Sequence, residues 1–184
     1  MRGPDTYLIV TAFDEFYLTH YPAVMGYIRR RTALPDDAAD AIAETFATAW
    51  RRRDAIPAEA RLWLFGVARR VLANQRRADH RHTALAERLR DELATRPHTE
   101  PDGDPDAVRA AFARLSDFDR EVLSLAGWEG LTTAEIATVL GCPQGVARVR
   151  LHRARKRLAR LLAAADLDLS RYGSRAGSLA KGRP

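Results

Sequence analysis

The chain has 184 residues, 46% of them hydrophobic, which is enough for one ordinary domain or two small ones with real cores. Its formal net charge of +6 favours an anionic partner, and nucleic acid suits it better than a membrane surface. No segment approaches the roughly 18 apolar residues of a membrane span. Residues 1–12 lack the pattern of a signal peptide, so we expect a cytoplasmic protein without membrane contact of its own.

Few side chains offer the chemistry of a metal site or an enzyme. Cys142 is the single cysteine, which excludes an internal disulfide and a cysteine-only metal site. His80 and His82 form an H-x-H pair, but without acidic or thiol ligands at helix spacing nearby we interpret them as solvent-exposed histidines. No phosphate loop or nucleophile with its base is present. We therefore predict no metal, no cofactor and no catalytic residue.

The first predicted helix begins at Phe13, after a poorly constrained leader over residues 1–12. Pro22 lies inside it, and we expect a kink or break near Tyr21 because an interior proline removes a hydrogen bond and clashes with the preceding turn. Cations at 29–31 suit the negative end of the helix dipole. The apolar anchors are Phe13, Phe16, Tyr17, Val24, Tyr27 and Ile28.

A second helix is predicted over residues 35–53, because Pro35 suits a first helical position and two aspartates follow it. Asp40 and Glu44 lie one turn apart, but no nucleophile or metal ligand accompanies them, so we interpret them as part of a docking surface. The predicted apolar side consists of Ala38, Ala41, Ile42, Thr45, Phe46, Ala49 and Trp50.

A loop at 54–61 precedes a third helix over 61–81, whose outward side is basic and amide-bearing. Trp63 and Phe65 stand at its start. Aromatic rings beside cations can stack on unpaired bases, but rings at helical spacing more often belong to the core, and we favour the core. The inward residues are Leu62, Leu64, Val67, Ala68, Val71 and Leu72, and the outward ones are Arg69, Arg70, Asn74, Arg76 and Arg77.

The composition changes over residues 78–105. A short helix is predicted at 83–94, and the eleven residues from 96 to 106 contain three prolines, a glycine and four acids, which is the composition of a flexible linker. We place the domain boundary there. A helix is then expected from 104 to about 115, and Ser116 with Asp119 resembles a capping box that opens another over 117–127. The tail at 166–184 is small, basic and predicted to be disordered.

Residues 131–162 predict a helix, a tight turn and a longer, strongly cationic helix. Thr132 and Thr133 can cap the first helix, Gly141 ends it, and Pro143 restarts the chain. Between 144 and 160 there are seven lysines and arginines and no acid, which favours a polyanion alongside over a solvated charged face. One stripe is apolar: Ala147, Leu151, Ala154, Leu158 and Leu161. The opposite side carries Gly145, Arg148, Val149, His152, Arg153 and Lys156. Such a helix-turn-helix fits the DNA major groove.

Three segments in this order resemble the extracytoplasmic-function (ECF) class of bacterial RNA polymerase sigma factors, of the sigma-70 family. They are DAADAIAETFATAW at 37–50, WLFGVARRVLANQRR at 63–77, and REVLSLAGWEGLTTAEIATVLGCPQGVARVRLHRARKRL at 120–158. The resemblance implies an all-α chain with two small helical domains and a flexible acidic linker. Domain 2, a three-to-four-helix bundle, would span 13–77, the linker 78–105, and domain 4, which carries the helix-turn-helix, 106–165.

The resemblance also implies the partners: bacterial core RNA polymerase, promoter DNA both as duplex and as melted non-template strand, and an anti-sigma factor. The loop 54–61 would hold an extruded base. Implied contacts to core polymerase are Asp40, Ile42, Glu44 and Phe46. Implied contacts to the minus-10 promoter element are Arg69, Arg70, Asn74, Arg76 and Arg77. Implied contacts to the minus-35 element are Thr132, Thr133, Arg148, Val149, His152, Arg153 and Lys156.

The alternative from another class is a helix-turn-helix repressor or activator that binds duplex DNA without polymerase. Residues 13–77 would then be a ligand-sensing or dimerisation module. It predicts tight binding to a palindrome by a dimer, whereas the sequence has no heptad pattern extending over three repeats.

Overall fold

A computed structural model of the chain describes the backbone of residues 4–87 and 110–164, and the side chains of residues 12–78 and 110–164. Within these ranges every regular element is helical. The chain divides into two compact units, Met1–Leu93 and Ala94–Pro184. Residues 88–105 of the predicted linker, the predicted tail, most of the helix predicted at 83–94 and the side chains of His80 and His82 lie outside the described residues.

The first unit contains three long helices, each in contact with the other two. They are α1 (Pro4–Arg29), α2 (Pro35–Arg51) and α3 (Ala60–Glu87), with a short 3-10 helix (Arg53–Ala55) between α2 and α3. Tyr27 and Phe65 stack at the centre, with ring centroids 4.8 Å apart and planes 16° apart. The remaining buried apolar residues are Val24, Ile28, Ala38, Ala41, Phe46, Ala49, Leu62, Leu64, Val67, Ala68 and Leu72.

Two predictions for α1 were wrong. The helix begins at Pro4, within the predicted leader, and it continues through Pro22 without a break. Leu18, whose carbonyl would lose its hydrogen bond to residue 22, is 71% exposed, and Pro22 is exposed too. The carbonyl that the proline leaves unpaired therefore faces solvent, where water can satisfy it, while buried residues after Pro22 hold the helix against its neighbours.

The helices α2 and α3 also differ from the predicted bounds. Leu34 precedes α2 without a side-chain cap, and Pro35, Asp36 and Asp37 form its first turn as predicted. α2 ends at Arg51, before the predicted end at 53, because the chain tightens into the 3-10 helix. α3 passes the predicted domain end at 77 and continues to Glu87.

The second unit begins, in the part that the structure describes, with a helical segment at 110–113. Three helices follow: α4 (Asp117–Gly127), α5 (Thr133–Leu140) and α6 (Gln144–Ala164). The N–H of Asp119 donates to Ser116 Oγ (3.2 Å), which caps α4 as the sequence predicts. The side chain of Asp119 does not complete a capping box, because it pairs with Arg157 on α6.

The turn between α5 and α6 follows the predicted chemistry. The N–H of Thr132 donates to Glu135 Oε2 (2.7 Å) and the N–H of Glu135 donates to Thr132 Oγ1 (3.3 Å), which completes a capping box. Gly141 ends α5 with φ of 63°, a left-handed conformation that glycine adopts without strain. The N–H of Cys142 then donates to the carbonyl of Ala137 (3.0 Å). These bonds fix the angle at which α6 leaves the turn.

The buried stripe of α6 agrees with the prediction at four positions and differs at the fifth. Ala147, Leu151, Ala154 and Leu158 are buried, and Leu162 is buried in place of Leu161. Leu161 instead lines an open cavity beside α4. The two leucines lie on opposite edges of the stripe, so contacts with the rest of the unit decide which of them is covered.

Candidate nucleic-acid and polymerase interfaces

The outward face of α6 is exposed along its whole predicted length. Gly145, Arg148, Val149, His152, Arg153 and Lys156 are all exposed, while the apolar stripe on the other side is buried. Val149 is an exposed large apolar residue among cations. This face combines charge for phosphates with one apolar group and several hydrogen-bond donors for base edges.

The seven cations of α6 are not equivalent. The guanidinium of Arg150 lies 4.5 Å from the ring centroid of Phe118, and Arg157 Nη1 donates to Asp119 Oδ2 at 2.6 Å. Arg155 is half-buried, its Nε atom has no hydrogen-bond partner among the described residues, and burial lowers its pKa. The exposed cations without a partner in the described part of the chain are Arg148, Arg153, Lys156 and Arg160.

Thr132 and Thr133 take different places at the start of α5. The hydroxyl of Thr132 accepts from the N–H of Glu135 and also donates to Glu135 Oε2 (2.8 Å), so it is engaged in the cap although it is exposed. Thr133 is half-buried. A contact from Thr132 to DNA through its hydroxyl would compete with the capping box.

On α3 the predicted basic face is mostly exposed. Arg70, Asn74, Arg76 and Arg77 are exposed and Arg69 is half-buried. Arg77 Nη2 donates to Asn74 Oδ1, which orients the amide and leaves its NH₂ group available as a donor. The predicted stacking platform is not present as such, because Phe65 is 1% exposed. Phe65 belongs to the core, as we favoured, and Trp63 is half-buried.

The structure separates the four residues predicted to contact polymerase. Asp40 and Glu44 are exposed on the side of α2 that faces α3, and Glu44 pairs with Arg51 (2.6 Å). Ile42 is half-buried and lines a different groove of about 300 Å³ between α1 and α2. The prediction for Phe46 as a surface contact is corrected: it is 5% exposed and packs on Tyr17, with ring centroids 4.5 Å apart.

A groove between α2 and α3 brings together residues that the sequence assigned to two separate sites. It has a volume of about 680 Å³, and acids from α2 face basic and amide groups from α3 across it. Periodicity placed each group on an outward helix face, but it carried no information on which faces would meet. The polar residues lining the groove are Asp40, Glu44, Thr48, Arg70, Asn74 and Gln75.

Comparison with known proteins identifies the family. The chain matches the family described as Sigma-70 region 2 over residues 16–82 and that described as Sigma-70, region 4 over residues 106–158. The ECF RNA polymerase sigma factor SigL of Mycobacterium tuberculosis is 31% identical over 153 residues, which cover 79% of this chain and 83% of that protein. The chain belongs to the ECF family of RNA polymerase sigma factors. The sigma factor is also 32% identical over 162 residues to the RNA polymerase sigma-E factor of Streptomyces coelicolor, covering 86% of this chain and 90% of that protein.

Solved structures agree with this assignment. The sigma factor is similar to the sigma factor RpoE of Bartonella quintana, solved in complex with the anti-sigma factor NepR, at 27% identity and a TM-score of 0.64. The similarity covers 83% of this chain and 97% of that one. CnrH, solved with the cytosolic domain of CnrY, has the same fold at 23% identity and a TM-score of 0.58, covering 84% of this chain and 89% of that one.

The family assignment confirms three predictions from the sequence: the resemblance itself, the all-α fold with two sigma domains, and the function of a promoter-specificity factor for RNA polymerase. It replaces the repressor alternative, because region 2 occupies the segment in which that alternative required a ligand-sensing or dimerisation module. In the ranges that the structure describes, no helix is long and apolar enough to cross a membrane.

Proposed function

We propose that this sigma factor reads the minus-35 element with the outward face of α6, and the single observation that carries the proposal is the division of that helix. Its apolar stripe is buried, whereas Arg148, Val149, His152, Arg153 and Lys156 are exposed together on the other side. Arg148 and Arg153 would donate to base edges, Val149 would contact a thymine methyl group, and Lys156 would neutralise a phosphate.

The minus-10 element is proposed to lie along α3. Arg70 and Asn74 are exposed on one side of that helix and line the same groove, so both can face bases of the melted non-template strand. Arg69, Arg76 and Arg77 supply the surrounding positive charge. The segment at 54–61, predicted as a loop, consists of the end of the 3-10 helix, a loop at 56–59 and the first residues of α3. It would hold a base extruded from the stack, since contacts in a pocket must offset the few kcal/mol that unstacking costs.

Core polymerase is proposed to dock on the acidic side of α2, through Asp40 and Glu44. Both carboxylates are exposed and one turn apart, and they form one wall of the groove opposite α3. Phe46 is buried against Tyr17 and Tyr21 of α1 and Ile42 lines the other groove, so neither belongs to the proposed contact. The factor itself has no active site in this proposal: it binds and orients in the cytoplasm, and the polymerase performs the chemistry.

The proposed sites are tested by run-off transcription with the purified factor, sigma-free bacterial core polymerase and genomic DNA from the source, with transcript starts sequenced. We expect discrete starts that share two spaced upstream motifs. The double charge reversal Asp40→Lys/Glu44→Lys should weaken core binding in a direct titration, whereas Glu15→Lys, an exposed acid on α1, should not. Equal loss in both variants would show a general charge effect and would refute the α2 docking surface.

We also propose that an anti-sigma factor holds this protein inactive. The support is the similarity to RpoE, which was solved in complex with the anti-sigma factor NepR. The test is affinity purification of the tagged factor from uninduced source cells, followed by addition of the recovered partner to the run-off assay. A stoichiometric partner that abolishes the discrete starts supports the proposal. Recovery of polymerase alone, with full activity, refutes it.

A further inference from the structure

Two cations of α6 are held by adjacent residues in the first turn of α4. Arg150 lies over the ring of Phe118 and Arg157 donates to the carboxylate of Asp119. Residues 150 and 157 are seven apart, which is two helical turns, so they project from the same flank of α6. Two consecutive residues of α4 therefore contact α6 at two positions that are two turns apart along its axis.

The side chain of Asp119 is buried in the second unit. It is 4% exposed, and its backbone N–H donates to the capping Ser116. It also lines a cavity of about 590 Å³ together with Arg114, Arg157 and Arg160, and it is the one acid among the described residues that line it. A buried carboxylate needs such a partner, because its desolvation is costly when the partner is removed. The pair consequently holds α6 against α4 more firmly than a surface ion pair would.

Arg157 differs from Asp119 in that half of its side chain, 51%, is exposed. It lies one turn beyond Arg153, which is exposed on the proposed reading face. A guanidinium at this place would be available to a DNA phosphate if Asp119 did not hold it. The ion pair therefore has a second consequence besides packing: it keeps one cation at the edge of the reading face away from DNA.

We propose that Phe118 and Asp119 are positioning residues that set the rotation of α6 about its axis, and that Asp119 prevents Arg157 from contacting a DNA phosphate. The proposal rests on the proposed reading of DNA by α6 and adds residues outside it. Base readout requires side chains to be held within about 0.5 Å and 10–20° of their productive geometry, whereas phosphate contacts strengthen binding to every sequence equally. Both effects of the Phe118–Arg150 and Asp119–Arg157 contacts favour discrimination between DNA sequences over affinity for DNA in general.

The experiment measures binding of reconstituted holoenzyme to a duplex promoter at several salt concentrations, with the upstream element either intact or scrambled. For Asp119→Asn we expect the slope of log K against log[salt] to steepen by about 0.9, because the released Arg157 contacts one more phosphate. Discrimination between intact and scrambled elements should fall roughly fivefold, comparable to about one weakened base contact. In Asp119→Asn/Arg157→Gln the slope should return to the original value while discrimination stays reduced.

Asp117→Asn is the matched control. It removes the same charge from the same helical turn, but Asp117 is exposed and pairs with Arg120 of its own helix. It should leave both slope and discrimination unchanged. Circular dichroism on each variant establishes that the protein is folded. Phe118→Leu retains an apolar side chain but removes the ring that holds Arg150, so it should lower discrimination and also steepen the slope by about 0.9.

Three outcomes would overturn the proposal: an unchanged slope in folded Asp119→Asn, an equal change in Asp117→Asn, or a double variant whose slope is about 0.9 shallower than that of the original protein. The last would mean that Arg157 already contacts a phosphate beside Asp119. Failure of the proposed function is a distinct result, because the original holoenzyme would then bind intact and scrambled upstream elements equally.

Discussion

Phe65 provides the sharpest test of how the first unit works, because its two interpretations predict opposite results. It is 1% exposed and stacks on the fully buried Tyr27. Arg31 covers the outer face of Tyr27 at 3.6 Å, and Arg61 lies 5.7 Å from the Phe65 ring centroid. A ring enclosed in such a column contributes stability and has no face left for an unpaired base.

The magnitude follows from the burial and the ring pairing. Phe65→Ala would cost about 3–5 kcal/mol, a large part of the stability of a small domain, so Phe65→Leu is the more informative change. It loses about 0.5–1.5 kcal/mol of aromatic pairing and up to about 1.5 kcal/mol from imperfect repacking. We expect a total of about 0.5–3 kcal/mol, with a fall in melting temperature of about 4–8 °C per kcal/mol.

The assay is urea unfolding followed by tryptophan fluorescence. Trp50 and Trp63 belong to the first unit and Trp128 to the second, so a Trp128→Phe background makes the signal specific for the first unit. Leu18→Ala is the control, since an exposed apolar residue should change stability by no more than about 0.5 kcal/mol. An unchanged midpoint for Phe65→Leu, together with lost open-complex formation, would refute the core assignment and restore base stacking.

Three further predictions concern single side chains. Thr132→Ala should destabilise the second unit by about 1 kcal/mol through loss of its cap, whereas Thr138→Ala, at an exposed site within α5, should cost less when both variants are unfolded by heat with Trp128 retained as the probe. Burial, and then the charge of a nearby arginine, lower the pKa of His20 below its usual 6.5. Between the lowered pKa of the folded state and about pH 6.5 the unfolded chain binds a proton that the folded one does not. The free energy of unfolding should therefore decrease as the pH is lowered through this range, and less steeply in His20→Asn. Arg148→Ala should weaken binding selectively at the upstream element, whereas Lys156→Ala should weaken every duplex and make the salt slope about 0.9 shallower; equal losses on all sequences for both would contradict base readout.

The parts of the fold that could be predicted from the sequence are those set by local chemistry. The cap at Thr132 and the helix end at Gly141 both depend on residues within one or two turns, and both agree with the structure. The outward face of α6 could be predicted equally well from the sequence, because helical periodicity and charge coincide there. In each case the residues that decide the structure are close together in the sequence.

The predictions that were wrong concern residues at which a contact with another helix outweighs the rule that holds within one helix. Pro22 obeys the rule that it removes a hydrogen bond, yet α1 continues, because the carbonyl lies on the solvent side and the opposite side is packed. Phe46 received two incompatible assignments, as core from periodicity and as docking contact from resemblance, and its burial against Tyr17 and Tyr21 decides for the core. The pair of Asp119 and Arg157 spans 38 residues and gives no periodic signal.

The charge of α6 shows how such contacts change a functional estimate. Counted from the sequence, seven cations would each neutralise a phosphate and contribute about −6.3 to the salt slope at −0.9 per contact. In the structure Arg150 and Arg157 are held by α4 and Arg155 is half-buried, which leaves four exposed cations without a partner among the described residues. Two of them, Arg148 and Arg153, are proposed base contacts, so Lys156 and Arg160 remain for phosphates and contribute about −1.8. The withdrawn charges lie on the flanks of the helix, and the available ones include the proposed base contacts Arg148 and Arg153. From the amino-acid sequence alone α6 resembles a non-specific polycation. In the folded protein, phosphate contacts that bind every DNA sequence equally therefore contribute a smaller share of its affinity.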